Sequence, residues 1–173
     1  VCILDNCIIE DGVIIGANTV IGHDAFYYQK KEGNYNRLNS CGTVHIESNV
    51  EIGASCTIDR GVTGTTRIGK GTKIDNLVQV GHDTQIGENC LIAAQVGIAG
   101  CVKIGDEVTL WGQVGIASGV SIGEKSTLLA QSGVSKDLAA NGTYFGSPCG
   151  EVKVKFKEMA ALRNLPKFLE DQR

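Results

Sequence analysis

Cut every six residues, positions 92–133 read IAAQVG IAGCVK IGDEVT LWGQVG IASGVS IGEKST LLAQSG, and every block opens on isoleucine or leucine. The frame runs without a slip from Ile68 to Val134, and it recurs at Ile3, Ile9, Ile15 and Ile21 and again at Ile46, Ile52 and Ile58. Four residues after each aliphatic position comes a small or branched side chain, such as Val78, Thr84, Cys90, Val96 and Val102. A period of six fits neither the 3.6 of a helix nor a long two-residue alternation, so it describes short strands joined by tight corners. The blocks opening at Ile92, Leu110 and Leu128 resemble one another, at a spacing of 18, more closely than adjacent blocks do. Three hexads therefore make one triangular coil, and like hexads stack on one face.

This pattern predicts an all-β fold, a parallel β-helix prism whose stacked strands lie about 4.8 Å apart around an aliphatic column. Glycine often follows the aliphatic residue, as at Gly16, Gly53, Gly87, Gly105 and Gly123. Having no Cβ, it is expected to turn the corners. Periodicity leaves the hand of the coil open, since parallel crossovers are usually right-handed.

Residues 1–140 form the prism, with a loop insertion at 26–41 and a four-residue insertion at Gly64 to Arg67. Residues 141–173 form an exit loop, rich in Gly and Pro from Asn141 to Gly150, and a short C-terminal helical segment in which Pro166 is expected to begin a second helix.

With 173 residues, 20% of them charged, the chain is one elongated domain plus a tail, and a net charge of −3 gives no sign of nucleic acid. No run of 18 apolar residues or signal peptide is present, so no transmembrane segment is expected and the protein is placed in the cytoplasm. Val1 is not Met, so the sequence is expected to start inside a longer product. Seven scattered cysteines without paired-ligand spacing read as free thiols in a reducing compartment.

Sorting hexads by 18 separates three faces. Those at 68, 86, 104 and 122 carry Lys70, Glu88, Asp106 and Glu124 and face water. Those at 92, 110 and 128 present Ala93, Trp111 and Leu129, a stripe suited to subunit packing. Those at 80, 98, 116 and 134 hold Gly81, His82, Ala99, Gly100, Ala117 and Ser118, a face nearly stripped of bulk. Over three coils, about 14 Å, it suits a slender acyl chain; it also suits close approach of trimer neighbours.

Of three histidines, His23 and His45 flank the first insertion and read as surface groups. His82 sits on the small face one coil from Gly100. Imidazole can accept a proton from an attacking amine or hydroxyl, and a glycine amide can hold the oxyanion of a tetrahedral intermediate. No second histidine lies near His82 in sequence, which argues against a three-histidine metal site.

The runs Lys73 to His82, Ala93 to Gly100, Gly112 to Ala117, Ala130 to Asp137 and Gly142 to Pro148 closely resemble the UDP-3-O-acylglucosamine N-acyltransferase family of lipid A synthesis. The resemblance implies a left-handed prism and a homotrimer with sites between subunits. It also implies transfer of a hydroxyacyl chain from acyl carrier protein, as its phosphopantetheine thioester, to the 2-amine of a UDP-3-O-acyl-glucosamine. In that reading His82 is the general base and Gly100 the oxyanion donor, with no metal and no bound cofactor. Lys136, Lys153, Lys155, Lys157 and Arg163 are the expected contacts to the acidic carrier protein. The chain departs from the family at Gly119, where a second histidine is usual, and family members carry an N-terminal uridine-binding domain. An O-acyltransferase acting on UDP-N-acetylglucosamine, an acyl-CoA-dependent sugar acetyltransferase and a non-catalytic trimeric scaffold remain alternatives.

Overall fold

Hydrogen bonds run along the axis of a triangular prism. In the computed structural model, which describes residues 1–170, Ile58 pairs with Val80, Val80 with Ile98, Ile98 with Ile116 and Ile116 with Val134. A second face stacks Ile46, Ile68, Ile86, Ile104 and Ile122, and a third stacks Ile52, Ile74, Ile92, Leu110 and Leu128. These are sheets of seven, six and eight strands, and the three faces are those sorted by the 18-residue spacing. Ile58, Ile68, Ile86 and Leu110 are fully buried, so the aliphatic positions form one continuous column.

The corners differ from expectation. Left-handed φ falls mainly on non-glycine residues late in each corner, among them Asn49, Asp83, Asn89, Gln95, Gln113 and Gln131, at 52–61°. Gly53, Gly87 and Gly105 have no positive φ; a Cβ on Gly53 would stand 2.7 Å from the amide of Asn76, and one on Gly105 2.6 Å from that of Glu124. These glycines are there because the next coil's backbone lies against them, and the left-handed bend falls later in the corner, most often on Asn, Asp or Gln but also on Leu77, Cys101, Glu107 and Lys125.

Four other expectations are corrected. Segment 26–41 is not an open loop: Tyr28–Lys31 and Asn34–Arg37 form an antiparallel hairpin closed by Glu32 and Gly33, both with positive φ. Thr65–Arg67 are not an insertion but extend the strand that pairs with Thr43–Ile46, the extra residues being taken up in the bend before them. In the exit, Thr143–Phe145 adds another strand to the third sheet, and buried Tyr144 donates to the Ala139 carbonyl at 2.8 Å. The tail is a single helix, Val152–Glu170, that runs through Pro166. Losing one N–H donor is tolerated there because the turn around Leu162 is exposed and water meets the freed carbonyl. Among the described residues no helix is long and apolar enough to cross a membrane.

Buried hydroxyls tie coils together. Thr72 Oγ1 donates to the Gly87 carbonyl at 2.9 Å and accepts from the Cys90 amide at 3.0 Å, whereas the buried Thr66 hydroxyl has no partner among the described residues. Thr66→Val should therefore stabilise the fold by about 1 kcal/mol, while Thr72→Val strands two backbone groups and should destabilise it by roughly 1–3 kcal/mol. Denaturant midpoints of the two variants test this pair of opposite signs.

Candidate active site

His82 and Gly100 occupy the same corner of successive coils, because the strands before them, Gln79–Val80 and Gly97–Ile98, pair in register. The ring of His82 lies directly over Gly100: a Cβ there would run into Nε2 and stand 2.6 Å from Cε1. The neighbouring backbone is held from both sides, Cys101 N donating to the His82 carbonyl at 2.7 Å and Gly119 N to the Gly100 carbonyl at 3.1 Å. The Gly100 amide itself donates to no group among the described residues. Gly81 keeps it uncovered, since a Cβ at 81 would sit 2.6 Å from that nitrogen.

Asp83 fixes the imidazole. Its Oδ2 lies 2.9 Å from His82 Nδ1, and its two oxygens also accept from the amides of Val62 and Gly64 at 2.9 Å. Burial pushes the Asp83 carboxyl up, but the Val62, His82 and Gly64 hydrogen bonds outweigh it and leave the group below the ordinary carboxylate range. An ionised Asp83 accepts from Nδ1–H, so the Nε2 lone pair is the one left facing Gly100. The ring of Tyr27 packs edge-on against the imidazole, centroids 5.7 Å apart.

A cleft of about 500 Å³ opens in front of this pair, and His23, Arg37, Asp59 and Gln79 line it as well. His23 is exposed, as the sequence reading has it, yet it also lines the cleft, whereas His45 pairs with Glu10 at 2.8 Å. Asp59 is 6% exposed, 3.8 Å from His23 and bonded by Gln79 at 3.0 Å. Its burial raises the carboxyl above the usual value despite Gln79 and the nearby His23. Neither residue was legible as part of the site, because the hairpin between them and the uninterrupted hexads hides which coils adjoin.

Sharing Gln79, Ile98 and Ala99 with the cleft, a groove of about 750 Å³ continues along the face past Gly97, Gly115 and Ala117 to Ser147 and Pro148. A side chain at Gly97 or Gly115 would meet open space, while at Gly133 it would strike Ser147 Oγ at 2.6 Å. The groove is thus open along its middle coils and walled by Ser147 at the far end. At Gly119, φ is +73° and the space beside it is empty.

The expected cations do not form one cluster. Lys136 and Lys155 both lie near buried Cys149, whose thiol is raised by desolvation against their influence. Lys155 pairs with Glu158 at 2.9 Å and lies along Gly146 and Gly150. Helical pitch puts Lys153 and Lys157 on the opposite side of the helix from Lys155, and Arg163 lies two turns further on.

Family models match the chain in two stretches, bacterial transferase hexapeptide (six repeats) at residues 65–100 and hexapeptide repeat of succinyl-transferase at 101–130. The fold and these matches define a hexapeptide-repeat transferase. Solved relatives include the UDP-N-acetylglucosamine acyltransferase of Francisella novicida, 26% identical with a TM-score of 0.66 over 91% of this chain and 69% of that one. The acyltransferase of Bacteroides fragilis, at 24% identity and TM-score 0.68 over 86% and 59%, bears on the fold alone. A right-handed coil would not superpose on these left-handed prisms, so the hand is left. Within this class the chain belongs to the UDP-3-O-acylglucosamine N-acyltransferase family. It is 59% identical to the Rhodopirellula baltica protein of that name over 152 residues, 88% of this chain and 40% of the relative. The Helicobacter pylori protein is 52% identical over 45% of this chain and 24% of its own length. The chain thus spans well under half of these relatives.

Asp83 stabilises the fold through its depressed carboxyl, so that contribution is fully present above about pH 4 and is lost as pH falls through the lower folded value. The stability gap between the parent and Asp83→Asn should be widest near neutrality and narrow below about pH 4, as read by unfolding at each pH.

Proposed function

We propose that this prism catalyses transfer of a hydroxyacyl chain from acyl carrier protein to the 2-amine of a UDP-3-O-acyl-glucosamine, in the cytoplasm, as a homotrimer with sites between neighbouring subunits. The observation that carries the reading is a single juxtaposition: Nε2 of His82 and the uncovered Gly100 amide share the mouth of a long, lightly walled groove. Family membership and the relatives' printed activity support the choice of reaction.

The thioester's acyl tail lies along Gly97 and Gly115 towards Ser147, which places its carbonyl at the cleft. As the neutral amine attacks that carbonyl, Nε2 accepts the amine's proton, and Asp83 stabilises the imidazolium through Nδ1–H. The Gly100 N–H donates to the oxygen that becomes an oxyanion, at a position prepared before the charge develops. Collapse breaks the carbon–sulfur bond, and the imidazolium returns its proton to the departing phosphopantetheine thiolate. The apolar stripe at Ala93, Trp111 and Leu129, where Trp111 is 45% exposed, is the surface assigned to trimer packing. Lys136, Lys153, Lys155, Lys157 and Arg163 are assigned to the carrier protein, with Lys136 and Lys155 nearest the groove's end.

His82→Ala should lower kcat by roughly 10²–10⁴-fold in an assay with acyl carrier protein thioester and UDP-3-O-acyl-glucosamine, with the fold retained by circular dichroism. Unaltered turnover, or a parent enzyme that acylates only a hydroxyl acceptor, contradicts the proposal. Gly115→Leu places a branched side chain over the open groove and should shift the preferred donor to shorter acyl chains. Mass spectrometry of products from a mixture of thioesters reads that shift.

A further inference from the structure

On the side of the imidazole that faces away from the cleft, three donor atoms converge. His82 Nδ1, an Asp83 carboxylate oxygen and Cys101 Sγ lie within 4.8 Å of one another. Nδ1 is 2.9 Å from Asp83 Oδ2 and 4.0 Å from the sulfur, and neither Asp83 nor Cys101 lines the cleft. Zinc–ligand bonds of about 2.0–2.3 Å in a tetrahedron set donor atoms roughly 3.4–3.6 Å apart, so small side-chain rotations close these three around an ion. Backbone restraint favours that geometry, since Cys101 N is bound to the His82 carbonyl and Asp83 to the Val62 and Gly64 amides. Cys101 is exposed, which gives an ion access from solvent.

We propose that His82, Asp83 and Cys101 form a binding site for a thiophilic divalent cation such as Zn²⁺, and that the bound ion switches His82 off. The second half rests on His82 acting through Nε2 as described above. A metal ion on Nδ1 requires that nitrogen's lone pair, so the ring proton passes from Nδ1 to Nε2 while the ring stays neutral. The Cys101 thiol gives its proton to water as the sulfur–metal bond forms, so one proton leaves per ion bound, without any redox partner. Nε2 then offers an N–H where the attacking amine needs an acceptor. The ion enters behind the ring, so inhibition should be non-competitive with both substrates.

The test uses Co²⁺ as a spectroscopic probe on the full chain, with the other two exposed cysteines, Cys2 and Cys41, replaced by serine to remove competing thiols. One Co²⁺ should bind per chain with a thiolate-to-cobalt charge-transfer band in the near ultraviolet, and the band should vanish in Cys101→Ser and be displaced by Zn²⁺. In parallel, Cys101→Ser should match parental turnover in chelator and need at least about tenfold more Zn²⁺ for half-inhibition. A missing band, or one that survives Cys101→Ser, overturns the site. A Cys101-dependent band with transfer indifferent to Zn²⁺ overturns the switch. The cobalt spectrum needs no turnover, so an inactive parent that still shows the Cys101-dependent band sinks the transferase reading and leaves the site standing.

Discussion

Axial pairing of each two-residue strand with its counterpart one coil away is the constraint on which the other features depend. No such strand is stable alone; it exists because the strands above and below saturate its hydrogen bonds and because its inward side chain fills a narrow aliphatic column. Ile, Val and Leu fit that interior at the first hexad position, and Thr72 fits at the later one because its hydroxyl reaches a carbonyl of the adjoining coil. Close backbone stacking then dictates glycine at Gly53 and Gly105, and the left-handed bend falls to later corner residues, most often Asn, Asp or Gln.

Stacking also explains how the pair proposed for catalysis can be built from so little. His82 and Gly100 are distant in sequence yet share one corner, and Gly81, which precedes His82, keeps the donor bare. Asp83 acts on both fold and chemistry: its oxygens hold the Gly61–Gly64 bend and also the Nδ1 side of the ring. A single carboxylate thus couples the shape of the wall to the tautomer of the imidazole.

Where hexads repeat, the chain was readable to the residue: the three faces, the buried column and the His82 to Gly100 relation follow from counting by six and eighteen. Legibility ended where register was broken. The hairpin at Tyr28–Arg37 is largely exposed on both faces, so it carries no hydrophobic alternation, and only Glu32-Gly33 marked its turn. His23 and Asp59 join the site because an insertion shifts the coil count, which no local pattern reports. Glycine after the aliphatic residue was correctly seen as required, but for the wrong reason, since composition cannot distinguish a backbone bend from a backbone contact. Pro166 stands inside a helix because an exposed turn forgives the missing donor.

The groove ends where Ser147 stands over Gly133, and the space between that barrier and His82 is an integer number of coils. Each coil contributes one strand spacing, about 4.8 Å, so gaining or losing a repeat changes the reach of the trough in jumps of several methylenes. Intermediate lengths are accessible only through bulk grown on its wall, as at Gly97 and Gly115. On the proposed reading, a prism of this kind measures its guest on two scales at once, coarse by duplication of repeats and fine by point substitution, and chain preference can diverge without disturbing the His82 corner.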